Sequence, residues 1–379
     1  MAARSVPPRI TSPATLIAAV RHGGLPQAIA LFALALLLPV VVPSGAFVNF
    51  LADAGAFVLL ALGLNIVIGF AGLLDLGYAA FFAIGSYAFA MLASNNFNVQ
   101  TPFWAQPGIH VPFWVLLFLA SGIAAVFGIL LGAPTLRLRG DYLAIVTLGF
   151  GEIVPQTFLN LSQWTGGPNG IGSLDQPTIG AYRFGFNALP YYFTILALIA
   201  FAVWIANNLR TSRLGRAWMA IREDELAAAH MGINTTTTKL AAFALGASFS
   251  GLAGCAYAAK LQLVSPDQFG FNVSVGLISM LVLGGMGNVP GVILGSVVIS
   301  SLDRYILPQG TNFLHSLGLT SVDLTGSRFL IYGLILVIMM LFRPEGLLPS
   351  GQRKSELHAA DDDPGAAAHE QELYTEGAK

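Results

Sequence analysis

Apolar residues run along this chain in long blocks separated by shorter polar stretches. Many of the blocks approach the roughly 20 residues that a helix needs to cross a hydrocarbon core. Sliding that length along the sequence gives about ten candidate spans, near residues 27–43, 49–70, 78–93, 111–131, 141–160, 190–208, 240–260, 272–284, 289–301 and 328–342. The eighth and ninth are short and read as half-helices that meet at a Gly-rich turn. Such a break is tolerated at membrane depth only where protein buries the freed backbone groups. The expected fold class is an all-α polytopic membrane protein of about ten transmembrane helices, some short or discontinuous.

The polar stretches set the orientation. With the N-terminus cytoplasmic, the inner side holds Arg4, Arg9, Arg21, Arg137, Arg139, Arg210, Arg213, Arg216, Arg222, Lys239, Arg343, Arg353, Lys354 and Lys379, and the outer side only Arg183, Lys260, Arg304 and Arg328. Basic residues are retained on the cytoplasmic side, so both termini are expected inside, which ten spans satisfy. The hydrophilic stretches 161–189 and 302–327 then face outward. Three parts are expected: a cytoplasmic N-terminal segment, 1–26; a transmembrane domain, 27–350, carrying the cytoplasmic loop 209–239; and a disordered cytoplasmic tail, 351–379, with Asp361-Asp362-Asp363-Pro364 and an Ala/Glu-rich end. Basic residues ahead of the run from Gln27 to Val42 superficially resemble a secretory signal. Pro43-Ser44-Gly45 is a poor cleavage site and many spans follow, so this run is read as an uncleaved first span.

Composition agrees: 55% hydrophobic residues, 10% charged ones and a mean hydropathy of +0.71 exclude a soluble chain. A net charge of −1 gives no reason to expect nucleic acid as a partner. Cys255 is alone, which excludes an internal disulfide framework and leaves a small structural thiol. No His-Glu-x-x-His occurs and no histidines or cysteines cluster, so neither a metal nor a cofactor is expected. Gly285-Met286-Gly287 followed by Gly291 lacks the strand and helix context of a dinucleotide loop. There is also no Gly-x-x-x-x-Gly-Lys-Ser/Thr loop, so no catalytic residue is assigned and any ATP is hydrolysed by another protein.

Three groups of residues stand out. The cytoplasmic stretch from Ser212 to Asn234 contains a short helix with both ends marked. Asp224 suits the N-cap, Glu225 the positive first turn, His230 the last turn, and Gly232 a left-handed stop. Ala227 and Ala228, with Gly232, give it a small face able to seat on another protein. A solvated linker is the plainer reading, but linkers seldom combine caps with such a face. Next, Ala242, Gly246, Ser250, Gly254 and Ala258 form a small-residue stripe for close helix packing, either a lever or ordinary packing. Within the spans, Glu152 is the clearest ionisable group, with Gln156 one turn later. Together they either meet a substrate ammonium or water path, or bond a neighbouring helix. Asn65 and Asp75 are weaker candidates, and Asp75 is also explained by turn amides.

Gly72-Leu73-Leu74-Asp75-Leu76-Gly77-Tyr78, Arg139-Gly140-Asp141-Tyr142, Gly149-Phe150-Gly151-Glu152, Thr165-Gly166-Gly167-Pro168-Asn169-Gly170, the segment around Arg222-Glu223-Asp224-Glu225, Gly284-Gly285-Met286-Gly287-Asn288 and Phe342-Arg343-Pro344-Glu345-Gly346 together resemble LivM-type permeases of branched-chain amino acid ABC transporters over roughly residues 45–350. The resemblance implies an inner-membrane permease paired with a second, related permease. It also implies two cytoplasmic ATPase subunits and a periplasmic amino-acid-binding protein as partners. Residues 224–232 correspond in it to a cytoplasmic coupling helix, with Arg222, Glu223, Asp224, Glu225, Ala227, Ala228, Gly232 and Asn234 as its docking set. The chain departs from the common Glu-Ala-Ala-x-x-x-Gly pattern there, with Leu226 at the acidic position and Glu225 displaced by one. A urea or short-amide permease of the same superfamily and an ion-coupled secondary transporter are the alternatives. The latter predicts several membrane-embedded acids in matched halves, where essentially Glu152 alone is found. A membrane enzyme lacks a nucleophile or metal constellation.

Overall fold

The computed structural model describes residues 32–96, 108–135, 141–316 and 323–348, apart from positions 34, 40, 43 and 344. The 1–26 segment and the 351–379 tail lie outside these residues, and the expected first span, 27–43, is described in part. The described chain is mostly helical. In order come α1 (Gly45–Leu64), which runs on as a π-helical turn (Asn65–Phe70), α2 (Ala79–Leu92), α3 (Phe113–Thr135), α4 (Asp141–Asn160), α5 (Ala188–Thr211), α6 (Arg213–Glu223), α7 (Glu225–His230), α8 (Thr235–Leu261), α9 (Phe271–Gly284), α10 (Val289–Ser301), a second π turn (Leu302–Ile306), α11 (Leu307–Ser316) and α12 (Arg328–Phe342). Among the described residues seven helical stretches are long and apolar enough to cross a membrane, and α2 and α12 are shorter apolar helices.

The ends of several helices follow from local chemistry. Ser44, Asn187 and Asn234 each accept a hydrogen bond from a first-turn amide of α1, α5 and α8, at 3.3, 3.1 and 3.1 Å. The core is built on α1 and α8. Every residue of the small stripe in α8, Ala242, Gly246, Ser250, Gly254 and Ala258, is buried. A Cβ at Gly254 would stand 2.6 Å from the Phe82 carbonyl oxygen and 2.8 Å from the Ser86 amide, so α8 and α2 touch backbone to backbone.

Between the π turn and α2 the chain leaves helical conformation over residues 71–78. Most of this strap is buried, with Gly72 and Leu74 exposed, and the Tyr78 hydroxyl donates to the Gly246 carbonyl of α8 at 2.6 Å. Its amides are met by side chains: Leu76 N–H by Thr147 Oγ1 of α4 at 3.0 Å, Gly77 N–H by Asp75 Oδ1 at 2.9 Å, and Ala79 N–H by Ser274 Oγ of α9 at 3.2 Å. That is the condition for irregular backbone among apolar helices.

Helices α9 and α10 form a hairpin across the turn 285–288, where Gly285 and Gly287 have φ of +108° and +80°. A Cβ at Gly295 would stand 2.6 Å from the Gly284 amide nitrogen, and the two helices pack at glycine distance. The ninth span is longer than its expected 289–301. Helical structure continues to Ser316, so much of the stretch 302–327, expected as a hydrophilic loop, is helix. Asp303 and Arg304 do not end it because both are ion-paired within the bundle. Three antiparallel two-residue pairings complete the fold: Ala93–Ser94 with Ile109–His110, Ile171–Gly172 with Leu263–Val264, and Thr178–Ile179 with Tyr182–Arg183.

Candidate functional site

The segment singled out in the 209–239 loop folds as α6 and α7. Asp224 caps α7, its Oδ1 accepting from the amides of Leu226 at 2.8 Å and Ala227 at 3.0 Å. Gly232 has φ +86° and closes the element. Two contacts brace it on the bundle: Glu225 pairs with the buried Lys239 of α8 at 2.6 Å, and the Trp218 indole of α6 donates to the Thr238 carbonyl at 2.7 Å. Glu225 is therefore engaged inside the chain. The expected small face is divided by the fold, for Ala228 points inward and is buried while Ala227 and Gly232 are exposed. The outward surface also holds Glu223, Leu226 at 56% exposure and Met231 at 84%.

Arg222 turns inward, its Nη1 donating to the Gly69 carbonyl in the π turn at 2.9 Å. The same turn begins with Asn65, buried, whose Oδ1 accepts from Gly287 N–H at 2.9 Å. The segment after α12 closes on this region. Leu347 and Leu348 amides donate to the carbonyls of Leu283 and Gly284 at 2.8 and 3.1 Å, and Asn288 Nδ2 donates to Leu348 O at 2.8 Å. Asn65 thus ties the Gly-rich turn to α1, and it does not share a surface with the other pathway candidates. Asp75 is buried in the strap and meets the Gly77 amide there, while its second oxygen has no protein partner. It borders a cavity of about 10 Å³ among Gly77, Thr147, Phe150 and Phe243, room for about one water molecule.

Glu152 and Gln156 do come together on one face of α4. Tyr142, Ile145, Glu152, Ile153, Gln156, Thr157 and Asn160 are exposed, and Glu152, Gln156 and Asn160 follow one another at the four-residue spacing of one helix face. The exposed large side chains of α3 (Trp114, Val115, Phe118, Val126, Leu130) and of α12 (Leu330, Leu334, Val337, Leu341) are apolar. A carboxylate and two carboxamides on the outside of a hydrophobic helix are unfavourable against lipid, so this face of α4 requires water or protein opposite it.

An ionic cluster that the sequence reading missed joins α1, α8 and the second π turn. Asp53 accepts from Lys260 Nζ at 2.5 Å and from Arg304 Nη1 at 3.0 Å, Lys260 also donates to the Asn49 carbonyl at 2.8 Å, and the Arg304 guanidinium lies 4.8 Å from the centre of the Phe57 ring. The signal was present, since Asp53 is a carboxylate inside an apolar run just as Glu152 is.

These features invite comparison with known transport proteins. The family described as branched-chain amino acid transport system, permease component, matches residues 46–341. The chain is 39% identical over 331 residues to the high-affinity branched-chain amino acid transport system permease protein LivM of Salmonella typhimurium, covering 79% of this chain and 71% of that protein. LivM of Escherichia coli is 38% identical over 343 residues, 85% and 74% of the two chains. The permease protein LivH of Salmonella typhimurium is 24% identical over 253 residues, 64% of this chain and 79% of that one. No solved structure matches. By the extent of the family match and the identity to LivM, this chain belongs to the branched-chain amino acid transport permease family.

Proposed function

We propose that this chain is the membrane-spanning permease subunit of an ATP-driven importer that carries leucine, isoleucine and valine across the bacterial inner membrane. The observation that carries the reading is the polar outer face of α4, with Glu152 and Gln156 at its centre. A monomer in lipid has no use for such a face. Opposite a second, related permease it lines a polar path, with Glu152 placed to meet the ammonium group of an amino acid. The relation to both LivM and LivH supports a partner of the same fold. The first span at 27–43 makes the count ten and puts both termini in the cytoplasm, in accord with the basic bias.

Energy enters from outside the chain, since its sequence contains no phosphate-binding loop. Two cytoplasmic ATPase subunits dock on the permease pair, here through the exposed residues of 223–232: Glu223, Leu226, Ala227, Met231 and Gly232. Asp224 and Asn234 hold the shape of that element as caps, and Glu225 holds it to α8. A periplasmic receptor delivers the amino acid. The test is reconstitution of this chain with the second permease, two ATPases and the receptor in proteoliposomes. Uptake of labelled leucine is expected to require ATP and receptor and to be competed by isoleucine and valine but not by urea. Uptake driven by an ion gradient without ATP, or competition by urea, rejects the reading.

A further inference from the structure

The docking helix α7 and the polar outer face of α4 are exposed on separate elements of the chain, so something must join them. Three observations identify the joint. First, Arg222 stands in the last turn of α6, two residues short of α7 with only Glu223 and Asp224 between, and grips the Gly69 carbonyl at 2.9 Å. Second, glycines shape the seat of its side chain. A Cβ at Gly72, where φ is +70°, would stand 2.6 Å from Arg222 Cγ, and one at Gly287 would stand 3.3 Å from the Gly69 oxygen and 3.7 Å from Arg222 Nη1. Third, the gripped π turn leads directly into the strap 71–78, and the far end of that strap holds α4. Leu76 N–H donates to Thr147 Oγ1 at 3.0 Å, Gly77 has no room for a Cβ beside the Thr147 carbonyl, and a Cβ at Gly151 would stand 2.9 Å from Gly77 Cα.

We propose that Arg222 is the positioning residue that passes displacement of the docking helix to the translocation helix, by way of the Gly69 carbonyl and the strap 71–78. The inference rests on the importer reading above. A π turn suits this role because it holds one residue more per turn than an α-helix, and it can give that residue up to a neighbouring segment in one discrete step. The amides of Ala71, Gly72 and Leu73 bond back to the carbonyls of Ile66, Ile68 and Val67, so the start of the strap moves with the π turn, and its far end is held by the side chains of Thr147, Asp75 and Ser274 and by the Tyr78 bond to Gly246. The guanidinium holds the Gly69 carbonyl through Nη1 on a stem packed against Gly72, and a lysine ammonium there is a more strongly hydrated point donor on a flexible stem.

The decisive quantity is the number of ATP molecules hydrolysed per leucine taken up, measured in proteoliposomes holding the complete transporter. This ratio is independent of how much protein is correctly folded. With Arg222→Met the ATPases are expected to co-purify as with the unaltered chain and to keep hydrolysing ATP, while ATP per leucine rises about tenfold; Arg222→Lys raises it less. An unchanged ratio, even with uptake and hydrolysis both reduced, assigns Arg222 a structural role only and overturns the inference. Loss of ATPase co-purification also overturns it, because the residue then belongs to the docking surface. Should Arg222→Met fail to assemble, Arg222→Lys decides alone, and a ratio equal to that of the unaltered chain rejects the proposal. If the unaltered transporter shows no ATP-dependent uptake, it is the importer reading that falls.

Discussion

Helices α8 and α4 are both apolar enough to span a membrane, yet 72% of the apolar stretch of α8 is buried and 22% of that of α4. The difference lies in where each keeps its polar and small residues. In α8 the glycines and Ser250 face inward and draw α2 and α3 to backbone distance, while in α4 the glutamate and carboxamides face outward. Hydropathy alone treats the two alike. What separates a structural span from one with work to do at its surface is the side on which the unfavourable residues stand, since an outward polar group stays in place only if something other than lipid meets it.

Adding bulk tests this comparison most severely. Gly254→Leu in α8 forces side-chain atoms into the Phe82–Ser86 backbone and is expected to destabilise the permease by about 3 kcal/mol or more, seen as loss of monodisperse protein and a lowered thermal midpoint in detergent. Gly149→Leu in α4, where no atom lies within 4 Å of the would-be Cβ, is expected to leave that midpoint unchanged. Equal damage at both positions would mean that α4 is packed as tightly as α8.

Removing charge tests the other side of the comparison. Glu152→Gln is expected to lower leucine uptake about tenfold with thermal stability and assembly intact, as befits a group acting on substrate rather than on packing. If uptake survives both Glu152→Gln and Glu152→Leu, the carboxylate has no transport role.

A smaller effect is expected at the docking element. Asp224→Ala removes the cap that holds the Leu226 and Ala227 amides and should weaken α7 by about 1 kcal/mol, read as a several-fold weaker association with the ATPase subunits and undiminished yield of the permease. Ala228→Trp is a packing mutation in the folded chain, because Ala228 is buried rather than on the outward side of α7.

The spans were legible because length and apolarity largely decide whether a helix crosses a membrane, and the caps of α7 and α8 because capping is local chemistry. The strap 71–78 was not. Its helix is interrupted where Thr147 and Ser274, 71 and 195 residues distant from the amides they accept from, supply the missing hydrogen bonds, and no local pattern announces such partners. Nor could caps reveal which way α7 faces. That follows from Glu225 meeting Lys239, which turns Ala228 inward and leaves Leu226 and Met231 outside. At 302–316 the charges of Asp303 and Arg304 looked like a loop, and only the pairing with Asp53 and Arg328 lets them remain in a helix. Glu152 and Gln156 were found by the cost of polar groups in a span, and the same argument applied to Asp53 would have found the ionic cluster.

The central claim is that the polar face of α4 borders a water-filled path. Because Cys255 is the only cysteine in the chain, Cys255→Ala provides a clean background for single cysteines at positions 149, 152 and 156 of α4 and, as lipid-facing controls, at 126 and 130 of α3. In the assembled transporter a membrane-impermeant, water-soluble maleimide is expected to label the three α4 positions and to leave 126 and 130 unlabelled. Silence at all three α4 positions, with and without ATP, would place this face against lipid and contradict the account.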